Sequence, residues 1–173
     1  MAYGLQLYNS SGQLIVDLST RWSKIVAAGT IGFISGDSTS NTSQTTGTGS
    51  KSFTLATGTT GTFPANSYVR VISTNSSDRM DGTVTSYNVT TRRLIINSIS
   101  NIGSASRNSW DVWPYVVVPV TGLANNDTWG ILVTFNRGPI RKEITTGELK
   151  IINSNETVNI TANDALTYWV LNQ

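Results

Sequence analysis

Ten carboxylates, and neither a histidine nor a cysteine, set the chemistry open to this 173-residue chain. Without imidazole there is no Ser-His-Asp relay and no histidine metal site. Without thiol there is no thiolate nucleophile, zinc ribbon, iron–sulfur cluster or disulfide. Glycoside hydrolysis stays open, since it needs only two well-placed carboxyl groups. Asp78 and Asp81 are the closest pair not bracketed by turn residues. Nearly all the others, from Asp17 to Asp164, sit beside turn formers or at predicted strand ends, where carboxylates shape turns and meet water. The chain is therefore read as a non-enzyme, with no catalytic residue, no metal and no cofactor.

Three further patterns invite chemistry and fall short of it. Gly47-Thr48-Gly49-Ser50-Lys51-Ser52 suggests a phosphate loop, but Gln44 or Thr45 stands where the first glycine belongs and a strand follows instead of a helix. Asn125-Asn126-Asp127 offers clustered oxygens to calcium without the alternating acidic loop that ion requires. Arg137, Arg141 and Lys142 form the densest basic cluster, a candidate contact for an anionic partner. A charged strand edge that resists aggregation is the preferred reading.

The aromatic residues offer a second kind of site. Five tryptophans and six tyrosines could supply a platform for stacking sugars. Trp22, Tyr87 and Trp110 are the candidates for glycan or partner contact. Trp110 and Trp113, three apart, would face opposite sides of a regular strand. Trp129 and Trp169 lie in apolar strands and read as core.

The elements that must position these residues are strands. Val, Ile and Thr number 54 against 27 for Ala, Leu, Glu and Lys, a balance that favours pleated structure. Leu5 and Leu7, then Leu14, Val16 and Leu18, alternate with polar residues across the turn Asn9–Gly12. Tyr3–Tyr8 and Gln13–Leu18 thus form a hairpin. Further strands are expected at Lys24–Ala28, Thr30–Ile34, Lys51–Leu55, Tyr68–Ser73, Gly82–Tyr87, Arg93–Ser98 and Ser109–Trp113. From Pro114, where the first composition returns, come the separate strands Tyr115–Val120, Trp129–Phe135, Ile140–Ile144, Leu149–Ile152, Thr157–Ile160 and Leu166–Leu171. Gly36 to Ser50 holds no large apolar residue and reads as a long polar Ser/Thr/Gly loop.

Composition divides the chain in three. The fold expected is all-β: an antiparallel β-sandwich-like body from 1–35 and 114–173, with a second, smaller β module at 36–113 inserted between two of its strands. Net charge is only +2 and the basic residues are scattered, so nucleic acid is not an expected partner. The opening Met1-Ala2-Tyr3-Gly4 lacks signal-peptide character, and the longest apolar run, Tyr115–Val118, is too short to cross a bilayer. A soluble, non-secreted protein without membrane insertion is expected.

Two stretches resemble proteins of tailed bacteriophages, notably those of cyanobacteria. Tyr3 to Arg21, taken with Val118 to Trp129, resembles a family of small virion-associated proteins that open on this hairpin and close with similar strands. Gly47–Leu55, Tyr68–Ile72, Met80–Tyr87 and Ser109–Trp113 are similar to a β module that recurs in phage tail and other virion proteins; Gly58 to Pro64 departs from it in being rich in Thr and Gly. The resemblance implies a non-enzymatic virion structural protein, synthesised in the host cytoplasm. A tail or fibre component acting in assembly or host attachment is preferred. The alternatives are a capsid decoration protein (cement or head fibre) and a carbohydrate-binding module recognising the host surface. The implied partners are other virion proteins, further copies of the chain (a homotrimer by analogy) and, for the last alternative, a host surface glycan.

Overall fold

The computed structural model describes residues 6–8, 14–17, 24–30, 38–59, 62–124, 129–134, 140–153 and 167–172. Every regular element among them is a strand. In chain order these are β1 (Gln6–Tyr8), β2 (Leu14–Asp17), β3 (Lys24–Thr30), β4 (Ser38–Ser40), β5 (Gln44–Thr45), β6 (Gly49–Thr54), β7 (Tyr68–Ser73) and β8 (Arg79–Asn88). There follow β9 (Arg93–Ile102), β10 (Ser106–Arg107), β11 (Trp110–Pro119), β12 (Trp129–Thr134), β13 (Ile140–Thr145), β14 (Glu148–Asn153) and β15 (Thr167–Asn172). The all-β, sandwich-like expectation holds: a large antiparallel sheet carries a small second one.

The large sheet has eight strands, ordered β13-β14-β11-β7-β8-β9-β6, with β4 added beside β11. The second runs β12-β15-β3, and β1 pairs with β2 as the hairpin pattern required. Two apolar clusters lie against the large sheet. One takes Leu149, Ile151, Val118 and Val120 from the β11–β14 end and packs them on Val170, Ala27 and Tyr168 of the small sheet. That is the contact of one sheet face on another. The second cluster, built around Phe53, Leu55, Val71, Leu94, Ile96 and Trp110, fills the other end.

That second end is rolled into a barrel. β4 pairs with β11 through Ser38–Ser40 and also bridges Leu55, just past β6, from Ser40. The ring therefore runs β4-β11-β7-β8-β9-β6 and back to β4. Closure needs curvature, and β8 and β9 supply it through two bulges, at Asp81/Gly82 and Val84/Ser86. At the first bulge the backbones close on each other. A Cβ on Gly82 would be driven into the Asn97 carbonyl, whose carbon lies 2.8 Å from that position.

Two expectations are corrected. The polar stretch at 36–50 is not a loop in its described part, 38–50: it supplies β4, β5 and the start of β6, with Ser38, Ser40 and Thr46 buried. Hydroxyls do there what apolar side chains do elsewhere. Ser40 Oγ donates to the Thr54 carbonyl at 2.8 Å, and the Thr54 amide donates to Thr42 Oγ1 at 2.8 Å. The strands expected separately at Ser109–Trp113 and Tyr115–Val120 are one, because β11 runs straight through Pro114. Along one edge of β11, β4 covers residues 110–112 and β14 covers 115–119. Pro114 sits in the gap between them, a place that suits a residue with no N–H to give. The strands expected at Thr30–Ile34 and Thr157–Ile160 lie largely or wholly outside the described residues.

Gly82→Ala should lower unfolding free energy by about 2–3 kcal/mol or more, because the added methyl meets backbone and not a side chain that can swing away. Gly47→Ala, whose Cβ would meet nothing closer than the tip of Lys51 at 3.6 Å, should stay within about 0.5 kcal/mol of the parent. Denaturant unfolding of the two variants side by side checks both.

Candidate functional site

The densest chemistry lies on the face of the large sheet opposite its two cores. Alternation in β7 puts Val69 and Val71 inward and Arg70 outward. Yet Arg70 is buried, with 2% of its surface exposed. Its Nε and Nη2 donate to Asp81 Oδ1 and Oδ2 on β8, at 2.6 and 2.8 Å. Its Nη1 and Nη2 donate to Glu143 Oε1 and Oε2 on β13, the second at 2.8 Å. One guanidinium thus holds two carboxylates by two-pronged contacts, the geometry that suits arginine and not lysine.

Register shows what this contact requires. Arg70 lies opposite Trp113, whereas Glu143 lies, through Lys150, in line with Val117. In a flat sheet two residues so placed, three strands and four residues apart, would be separated by about 20 Å, more than the two side chains span. The β13–β14 hairpin must therefore coil over the outer face toward β7 and β8. Under it Tyr68 stacks on Tyr115, ring centres 5.4 Å apart, and the Lys150 ammonium lies 5.4 Å from the Tyr115 ring. Lys150 Nζ also stands 3.5 Å from Asp81 Oδ2.

The titration of these groups follows from their partners. Burial raises the Asp81 carboxyl, but hydrogen bonds and charge from Arg70, with Lys150 and Arg79 assisting, outweigh it and hold it below its ordinary 3.8. Hydrogen bonding from Arg70 likewise holds Glu143 below its ordinary 4.5, against a smaller opposing effect of burial. Burial alone would ease the proton off Arg70, yet its two carboxylates keep it charged. Burial, reinforced by the negative charge of Asp81, pushes the Tyr115 phenol well above its usual range.

Asp78 and Asp81, considered for hydrolysis, do not converge. Asp81 is committed to Arg70, while Asp78 accepts from Arg107 Nε at 2.7 Å. A general acid needs a raised carboxyl, and the shift at Asp81 runs the other way. Among the described residues no group of three or more acidic residues could hold a metal ion.

The aromatic candidates also separate. Trp110 is fully buried: it meets Phe53 edge-on, with ring centres 5.9 Å apart, and donates from Nε1 to the Thr42 carbonyl at 2.9 Å. Its ring has no free face for a sugar. Tyr87 is half-buried against Phe63, 5.1 Å between centres, and its hydroxyl is buried without a partner among the described residues. Burial raises its phenol, with nearby Arg92 opposing. Trp113 does face away from Trp110, and the Arg141 guanidinium lies 4.5 Å above its ring. Arg141, on β13, therefore caps an aromatic ring of β11, and Lys142, one residue on, belongs to the opposite face. β13 is the outermost strand of the large sheet, so these charges do mark a strand edge. Trp22, Arg137 and Asn125-Asn126-Asp127 lie outside the described residues.

What the sequence reading missed is Arg70. A single charge in Tyr68-Val-Arg-Val-Ile72 looks like an ordinary outward residue of a half-buried strand, and nothing local reveals that a hairpin over 70 residues later will cover it.

Arg70→Ala leaves the buried Asp81 carboxylate with Lys150 alone and Glu143 without its fork, and should cost about 3 kcal/mol or more. Arg70→Lys should recover only part of that loss, which chemical unfolding will show. Because Asp81 and Glu143 have native values below their unfolded ones, their stabilisation is complete above about pH 5 and is lost as pH falls through the native values. Melting temperature should therefore drop steeply below about pH 4, and Asp81→Asn should flatten that acid limb while lowering stability near neutrality.

Comparison of the chain with protein-family models, with curated proteins and with solved structures finds no match.

Proposed function

We propose that this chain is a non-enzymatic structural protein of a tailed-phage virion, a tail or fibre component acting in assembly or host attachment. The observation that carries this reading is the way the two cores are joined. β11 runs unbroken from the barrel into the sandwich-like end, and Arg70 fastens β7 and β8 of the barrel to β13. Domains that must move relative to each other are linked by flexible segments and thin polar interfaces. A barrel sharing a strand with its base, and tied to it by a buried ion cluster, is suited to being displayed at a fixed angle in a repeated assembly. The resemblance of the opening hairpin and of the 47–113 stretch to virion proteins supports the same reading. In this role its partners are other virion proteins and further copies of itself, with a homotrimer as the fibre stoichiometry. In this reading Asp81 and Glu143, which hold Arg70, and the stacked pair Tyr68 and Tyr115 serve rigidity and not turnover.

An antibody raised against the chain should label the tail of phage particles in immunogold electron microscopy. Label over the head would make it a cement or head-fibre protein instead. Particles carrying no label would overturn the virion reading. Sedimentation of the purified chain should give three times the chain mass, and a stable monomer at high concentration would remove the fibre version.

A further inference from the structure

A cleft of about 290 Å³ opens at the rim of the barrel, away from the arginine cluster. Ser73 and Asn75 line one side, from the end of β7 and the turn that follows. Ser106, Arg107, Asn108 and Ser109 line the other. We propose that this cleft is a binding site for a neutral sugar unit.

Its walls are fixed. The Thr46 amide donates to the Ala105 carbonyl at 3.0 Å, beside the β5–β10 pair. The Thr74 amide donates to the Ser109 carbonyl at 3.2 Å, and the Thr74 and Ser109 hydroxyls bond each other at 2.8 Å. Ser73 forms a buried floor, its amide held by the Asp78 carbonyl at 2.8 Å. The Asp78 carboxylate, itself buried, fixes Arg107 through Nε. The two sides are thus tied together, and a ligand would meet a preformed surface.

The lining selects the class of ligand. No apolar side chain lines the cleft, so nothing rewards a lipid, an aromatic ring or a hydrophobic peptide side chain. Arg107 is its single charge and Asp78 balances it, so an anion finds no surplus of positive charge. What remains is a dense set of hydroxyls and planar amide and guanidinium groups, and those pair with the adjacent hydroxyls of a sugar. The side chains of Asn75, Ser106 and Asn108 make no hydrogen bond within the described residues. A neighbouring cleft at Thr39–Ala56 differs in this respect, because Ser40, Thr42 and Thr54 have already spent their groups on each other. At the small end of the range for ligand pockets, about 300–1,000 Å³, the rim cleft has room for a single ring. With no aromatic floor, affinity should be in the millimolar range. That suits a contact multiplied by many copies on one particle.

Backbone amide NMR spectra of the whole chain, titrated with glucose, galactose, mannose and N-acetylglucosamine, with glucuronate as the charged control, test this directly. At least one neutral sugar should shift the amides of 73–78 and 106–109 with a millimolar Kd. The double variant Asn75→Ala, Asn108→Ala should bind it about tenfold or more weakly at an unchanged melting temperature. No shift in those amides up to about 50 mM of any neutral sugar would overturn the assignment, as would a double variant that binds like the parent. Glucuronate binding about tenfold tighter than the neutral sugars would overturn the charge argument and the proposal with it. Particles without antibody label would leave this titration untouched, so the two readings fail separately.

Discussion

The Arg70 guanidinium is the constraint around which the outer face is arranged. Taking Arg70 and Asp81 out of water, with Glu143 partly covered, costs several kcal/mol per buried ion, and four hydrogen bonds with mutual attraction offset that loss. Both carboxylates must arrive together, because Asp81 alone would satisfy one side of the fork. Glu143 arrives only if the β13–β14 hairpin coils over β7 and β8; on the same face strand register alone sets Tyr68 against Tyr115 and Lys150 beside that ring. Burial of the ion cluster and the bend of the sheet are therefore one feature. Losing one partner of such a cluster costs more than the intact cluster contributes net, because it leaves a buried charge short of its pair.

A second dependence runs through β11. Its first half closes the barrel against β4 and β7, and its second half carries the sandwich core against β14. Inward residues serve different cores along one strand, Trp110 and Val112 in the barrel and Val118 at the sandwich end. Any twist imposed at one end is transmitted to the other, since a strand is stiff along its length. The barrel's closing segment is made of serine and threonine instead of valine and isoleucine, and it holds by side-chain to backbone bonds. The Trp110 indole takes part by donating into that segment at Thr42. Hydroxyl-rich strands of this kind give a surface that is polar outside and ordered within.

Much of this fold was legible beforehand. The hairpin β1–β2 and the strands at 51–54, 68–73, 93–98, 140–144 and 149–152 followed from alternation of apolar and polar residues, because a half-buried sheet imposes that period. The opposite orientation of Trp110 and Trp113 followed from the same rule. The 38–50 stretch was illegible because its partners, Ala105, Leu55 and the Trp110 indole, are distant or polar, and hydrophobic pattern carries no record of hydroxyl bonds. The joining of 110–113 to 115–119 through Pro114 was hidden for a related reason. A proline breaks a strand only where its missing N–H is needed, and a gap between two partners removes that need.

Of the candidate sites, the sequence marked residue types and the tertiary structure assigned their fates. Composition by itself determined that this is a β protein without imidazole or thiol chemistry, since those absences and the weight of Val, Ile and Thr need no coordinates. Which aromatic ring is sealed, which arginine is buried and which serines line an open cleft depended on strand register and sheet coiling. Trp110 is core and Arg141 caps Trp113 because of which strands lie beside them. Asp78 and Asp81, three residues apart in the chain, are claimed by different arginines because Arg107 comes from the barrel rim and Arg70 from the middle of β7. Local spacing fixes which face a side chain leaves by, while what waits on that face is set by segments far away in the chain.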